Sequence, residues 1–187
     1  MSVSTNSYAS IIGMMLYLES NTRPDISFAV HQCARFTHNT KVSHETAVKR
    51  VCRYLQGTKH NGLVLRPSEN LVVDCYADAD FAGLRGHEDP QDHICARSRT
   101  GFVVTFANCP LLLVSKLQTE IALSTLHSEY VALSCSVRAL LPLKSLIKEL
   151  IDNLGIDCEN LKFVSSSTVY EDNNGAIVVA TSPKMTP

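Results

Sequence analysis

The sequence predicts an α/β protein: a small helical segment, then a mixed sheet made of an antiparallel meander plus one parallel strand joined through crossover helices. Three patterns predict it. Apolar residues recur at helical spacing up to Gly57. From Gly62 to Ser115 the spacing shortens to apolar and β-branched runs separated by turn residues. After that a long helical stripe leads to one more short strand, Ser167–Tyr170, and a last helix.

Taken in order, Tyr8–Leu18 carries Ile11, Ile12, Met15, Leu16 and Leu18 at helical spacing. Asn21–Asp25 breaks that helix, because Pro24 disfavours helix in the residue before it. A second helix starts near Pro24 and closes at Asn39-Thr40. The third has Ser43 as its N-cap and stops at Gly57. A boundary is expected near residue 60, giving segments 1–60 and 61–187. Gly62–Arg66 and the run from Leu71 read as strands around the turn Pro67–Asn70. Phe102–Phe106 and Leu111–Ser115 complete the meander across Asn108-Cys109-Pro110. Thr125–Leu140 is a helix with Leu126, Tyr130, Leu133, Val137 and Leu140 on one face; Pro142 ends it, and another helix follows to Gly155.

Composition narrows the function classes. Hydrophobic content of 45% against 19% charged residues describes a folded protein rather than a disordered one. The formal net charge of -1 excludes whole-chain steering of nucleic acid, so any polyanion contact must come from a local basic patch. The seven cysteines stand singly, with no Cys-x-x-Cys pair. That argues against a disulfide framework and a structural zinc site, and for reduced thiols in an intracellular setting. His87, His93 and Cys95 come nearest to a zinc set but lack a second ligand pair. No signal peptide is visible, and no apolar run is expected to reach bilayer length, so no membrane partner is expected.

Three acids sit in comparable settings. The strand through Cys75 and Ala77 ends in Asp78 and Asp80 before Gly83. Carboxylates at the exit of a core strand are costly without a compensating cation or donor, although both also suit a plain turn. Glu129 falls at the edge of its helical stripe, where a carboxylate is either solvated or half-shielded. Asp172 lies between a strand end and a helix start, a place for an N-cap or for a ligand. If the late strand pairs parallel beside the first, Asp78 and Asp172 leave adjacent strand ends, and Glu129 on the crossover helix can join them. Three such carboxylates repel unless a cation sits among them, and all-oxygen ligation selects magnesium or manganese. Lys49, Arg50 and Arg53, off the apolar stripe of their helix, read either as a solvated face or as phosphate contacts, with Arg97 and Arg99 as further candidates.

Several blocks resemble one family. They are Asn21–Val30, Lys49–Thr58, Tyr76–Gly83, Arg97–Phe102, Ala122–Leu133 and Glu171–Ala176. Together they resemble the C-terminal reverse transcriptase–ribonuclease H region of Ty1/copia-type retrotransposon Pol polyproteins. The resemblance implies a ribonuclease H-like fold that cuts the RNA strand of an RNA–DNA hybrid with Mg²⁺ or Mn²⁺ on Asp78, Glu129 and Asp172. Asp80 is then outer shell or structural, and residues 1–60 are a helical connection following a polymerase core. The implied partners are the hybrid and the rest of the polyprotein, in a cytoplasmic virus-like particle or the nucleus. No Tyr-x-Asp-Asp-like polymerase motif is present. The chain stops at Ser182–Pro187, before the family's Lys-His-Ile-type segment, so an incomplete sheet, a missing ligand and weak hydrolysis are expected. The alternatives are an inactive remnant and a non-specific nucleic-acid-binding module.

Overall fold

In the computed structural model the described residues are 5–86, 93–155, 162–163 and 166–182. The chain divides into two compact units, Met1–Val64 and Leu65–Pro187. The first holds α1 (Thr5–Asn21), a 3-10 turn (Pro24–Ile26), α2 (Ser27–Ala34) and α3 (Val42–Gly57). Its core gathers Tyr8, Ile12 and Met15 of α1 with Val30 and Cys33 of α2 and Val48 of α3. The buried Tyr8 hydroxyl donates to the Cys33 carbonyl at 2.9 Å, so a polar tip enters this core satisfied. The corner after α1 is pinned by Arg23, whose guanidinium forks onto both oxygens of Asp25 at 2.9 and 2.8 Å. Tyr54 adds an O–H donor at 2.8 Å, and the Arg23 pairing first of all holds the Asp25 carboxyl down to about 2. Ser43 is not the cap of α3. The helix begins at Val42 with Lys41 as its N-cap, two residues before Ser43, and the Lys41 N–H donates to His44 Nδ1 at 3.0 Å.

The second unit contains β1 (Asn70–Leu71), β2 (Val73–Asp80), β3 (Arg99–Phe106), β4 (Cys109–Leu117), α4 (Thr125–Leu154), β5 (Lys162–Phe163), β6 (Val169–Tyr170) and α5 (Asn174–Thr181). Its main sheet has the order β4-β3-β2-β6: the first two pairings are antiparallel and β2–β6 is parallel. β1 and β5 form a separate parallel pair. Gly62–Arg66 carries no strand; Leu63, Val64 and Leu65 are all more than half exposed, with no neighbour to complete a ladder. The β3–β4 turn puts Ala107 and Asn108 at φ 49° and 63°, the two consecutive left-handed residues that a tight hairpin demands. β4 is an edge strand, and its register slips beside Pro110, which pairs with Thr105.

β2 alternates as a half-buried strand should: Val73, Cys75, Ala77 and Ala79 are buried, while Tyr76 and Asp78 are exposed. α4 covers the buried face. It runs unbroken through Pro142, which corrects the expected break. Pro142 is exposed, and the buried residues Leu140 and Ile147 on either side anchor in one core with Val73, Cys75 and Val104, which outweighs one lost helical hydrogen bond. At 30 residues α4 is also long and apolar enough to cross a bilayer by length and composition. That corrects the expectation that no apolar run approaches such a length; here its buried stripe faces the sheet. Leu133 and Leu140 of the expected stripe are buried, but the buried face is rotated from the rest of it. Ser128, Ala132 and Ser136 are fully buried, whereas Leu126 and Leu141 are partly outside. Small residues at this spacing let α4 approach β2 closely, and Ser136 returns its hydroxyl to the Leu133 carbonyl at 2.8 Å.

Leu140→Ala should therefore destabilise the second unit by about 2–5 kcal/mol. Denaturant titration read by a probe in each unit should show the Tyr8–Val48 core unaffected.

Candidate metal centre

β2 and β6 run parallel in the register Cys75↔Val169 and Tyr76↔Tyr170, so their carboxyl ends reach one rim. Asp78 lies two residues beyond that pairing on β2, and Asp172 two residues beyond it on the loop after β6. Glu129 is in the second turn of α4. Each of the three offers a carboxylate oxygen, and these oxygens lie within 4.8 Å of one another. Asp78 and Asp172 are exposed, and Glu129 is 7% exposed. Glu129 is thus on the buried face of α4 rather than at its edge.

The surrounding groups fix this arrangement. Ser124 caps α4, accepting the His127 N–H at 3.1 Å. Gln118, itself buried, donates to Thr100 Oγ1 at 3.1 Å and to the Ser128 carbonyl at 3.0 Å, tying the first turns of α4 to β3. Leu126 packs over Gly175, where a Cβ would fall 2.6 Å from Leu126 Cδ1. The N-cap of α5 is Asn173, whose Oδ1 accepts the Ala176 N–H at 3.0 Å. Asp172 is relieved of capping and left to face its fellow acids. Asp80 is not among the three, and its carboxylate occupies the space that a Cβ on Gly83 would need.

Comparison with known proteins adds the kinship. A segment of a Pol polyprotein from the Arabidopsis thaliana transposon RE1 is 31% identical over 176 residues, 94% of this chain. A Pol polyprotein from the Nicotiana tabacum transposon TNT 1-94 is 36% identical over 143 residues, 76% of this chain. The chain is a homologue of Ty1/copia-type retrotransposon Pol polyproteins. This Pol homologue spans about a tenth of those relatives, 11% and 10% of their lengths. It is also 35% identical to a protein named secreted RxLR effector protein 161 of Plasmopara viticola, over 127 residues, 84% of that protein and 68% of this chain. No family model and no solved structure matches the chain.

The electrostatics of the Pol homologue's centre are those of a site built around positive charge. Burial, then Glu171, then Asp78 push the Glu129 carboxyl up to about 7, against an opposing hydrogen bond from the Ala79 N–H. Glu129 Oε2 is buried with no hydrogen-bond partner. An orphaned buried carboxylate oxygen beside two further carboxylates suits a hard divalent cation such as Mg²⁺ or Mn²⁺. Sequence reasoning missed Glu171. Its carboxyl is raised by burial first, then by Asp172 and Asp78, with the Asn173 N–H opposing. The available signal was its place directly before Asp172 at a strand exit.

The basic candidates are divided between the two units. Lys49, Arg50 and Arg53 are exposed on α3 in the first unit. Arg97 and Arg99 belong to the second. Arg99 is only 3% exposed and donates to Ser115 Oγ at 3.3 Å, which withdraws it from the surface and corrects its place among backbone-gripping residues; Arg97 is half-buried. Of the zinc candidates, His87 lies outside the described residues and Cys95 is buried. The acid triad is the one metal-capable group found among the described residues.

Two outcomes follow from this geometry. An acid whose pKa rises on folding stabilises the fold fully below its ordinary value, and that stabilisation is lost as pH climbs through the raised value. Without divalent ions, the unfolding free energy of the second unit should fall between pH 4.5 and about 7, through Glu129, by at most about 3 kcal/mol. Glu129→Gln should flatten that slope. Asn173→Ala should cost about 1 kcal/mol through the lost cap, while Asp172→Asn should leave ion-free stability equal or higher; thermal melts of the two variants check the pair.

Proposed function

We propose that the second unit is a ribonuclease H-type centre that hydrolyses the RNA strand of RNA–DNA hybrids during reverse transcription, using Mg²⁺ or Mn²⁺ on Asp78, Glu129 and Asp172. The observation that carries it is the meeting of three carboxylates from three separate elements within 4.8 Å, one of them buried with an unpartnered oxygen. Homology to retrotransposon Pol polyproteins supports it. When bound, divalent cations supply an activated water and neutralise charge on the leaving oxygen. The chain's own residues prepare the place: Asp78 and Asp172 face solvent where a nucleic-acid strand can lie, and the Ala79 N–H fixes Glu129 beneath them. In this reading Met1–Val64 is the connection after a polymerase core, its exposed Lys49, Arg50 and Arg53 touch a phosphate backbone, and the work is done inside the cell in a particle or the nucleus.

The test is ion binding and cleavage by the 187-residue chain. It should bind Mn²⁺ and cut a labelled hybrid, at whatever rate, only when a divalent ion is present. Asp78→Asn should weaken ion binding by at least about 10-fold and abolish cutting while keeping its circular dichroism. A wild-type chain that binds no divalent ion, or an Asp78→Asn chain that binds equally well, would sink the reading.

A further inference from the structure

α4 does not fill the inner face of the sheet as far as its edge. It lies along the rows of β2 and β3 that carry Cys75, Phe102 and Val104, all buried. The next row, on β4, continues with Val114 and Lys116, which pair with Phe102 and Thr100 and so share their face. Between α4 and this row is a cavity of about 510 Å³.

Its walls are mostly apolar. Val131, Cys135 and Ala139 stand at four-residue spacing, one row along the flank of α4, and face Phe102 and Val114 of the sheet. Gln118 closes one end, and both N–H donors of its side chain are spent on Thr100 and Ser128. Charge comes from Lys116 on the sheet side and Arg138 on the helix side, both exposed, and no acid lines the cavity. Among the described residues neither cation makes an ion pair or a hydrogen bond. A single exposed cation is ordinarily just solvated. Here two, from separate elements, border one apolar hollow.

The size and lining are those of a small-molecule site, about 300–1,000 Å³ and mainly apolar with a few placed polar groups. A phosphate backbone would use the charges and gain nothing from the walls. A neutral apolar molecule would use the walls and leave the charges idle. Both are used by an apolar body that ends in a carboxylate, the group that a guanidinium fork matches.

We propose that the cavity between α4 and β4 binds a small amphipathic carboxylate, with its apolar chain against Phe102, Val114 and the α4 row and its head between Lys116 and Arg138. Asp78, Glu129 and Asp172 do not line this cavity, so the site stands whether or not they hold a metal.

Decanoate is the probe, added to the 187-residue chain without divalent ions. Isothermal titration calorimetry should show one saturable site per chain. Bound decanoate should also slow alkylation of Cys135 by N-ethylmaleimide, read by peptide mass spectrometry. Decyltrimethylammonium, with the same tail and the opposite charge, should leave Cys135 unprotected. The double variant Lys116→Gln/Arg138→Gln should weaken decanoate binding by at least about 5-fold, the scale of two exposed ion pairs. Its melting temperature should match that of wild type, because both side chains stand in solvent. Equal binding by the double variant, protection of Cys135 by the cationic probe, or no saturable site would overturn the proposal. So would an RNA–DNA hybrid that protects Cys135 where decanoate does not, which would make the two cations backbone contacts.

Discussion

The parallel pairing of β2 with β6 governs the second unit, and it is short. Two residue pairs define it, Cys75 with Val169 and Tyr76 with Tyr170. A slip of one residue would turn Tyr170 to the opposite face and carry Asp172 away from Asp78. Several contacts hold the register against that slip. The Tyr76 and Tyr170 rings stack with centroids 4.6 Å apart and planes 9° from parallel. The Cys75 N–H reaches the Thr168 carbonyl at 2.9 Å, and the Thr168 N–H reaches Asp74 Oδ1 at 3.1 Å. Aromatic area and paired backbone groups thus stand in for ladder length.

What this register assembles is electrostatically unfavourable by itself. Acidic groups from β2, α4 and the β6–α5 loop converge, and the one most deeply placed has the least access to water. The fold accepts the arrangement because its surroundings were settled by other forces. Small residues seat α4 on β2, Gln118 ties its first turns down, and Gly175 lets Leu126 close over α5. None of these contacts involves the carboxylates. A region whose packing is complete without its charged groups can hold them in a strained arrangement, and such regions are where ligands bind.

Much of this layout could be read from the residues, and the misses share causes. The meander, the late parallel strand and the positions of Asp78 and Asp172 followed from period-two runs that end in acids. Glu129 was placed half a face out, because the stripe was drawn through Leu126, Tyr130, Leu133, Val137 and Leu140, of which Leu133 and Leu140 are buried but Leu126 is not. The buried face also runs through Ser128, Ala132 and Ser136, small residues that mark it poorly in the sequence. Arg99 was a candidate phosphate contact; as the first residue of β3 it is buried. Pro142 looked like a stop, and the anchors on either side of it, Leu140 and Ile147, overrode local propensity. Gly62–Arg66 had strand composition but no partner, and pairing is a property of the whole sheet that a single segment cannot reveal.

The outer strand of the meander bears on how this molecule behaves in company. Leu111, Leu112 and Leu113 form an apolar run with substantial solvent exposure on β4, at the open margin of the sheet. Such a margin invites other chains to add themselves as strands. Pro110, one residue before the run, offers no amide hydrogen, the slipped register beside it interrupts the ladder, and Lys116 follows as a charged guard. What guards this margin against added strands is therefore a few residues at one border, far in kind from the acids of the rim.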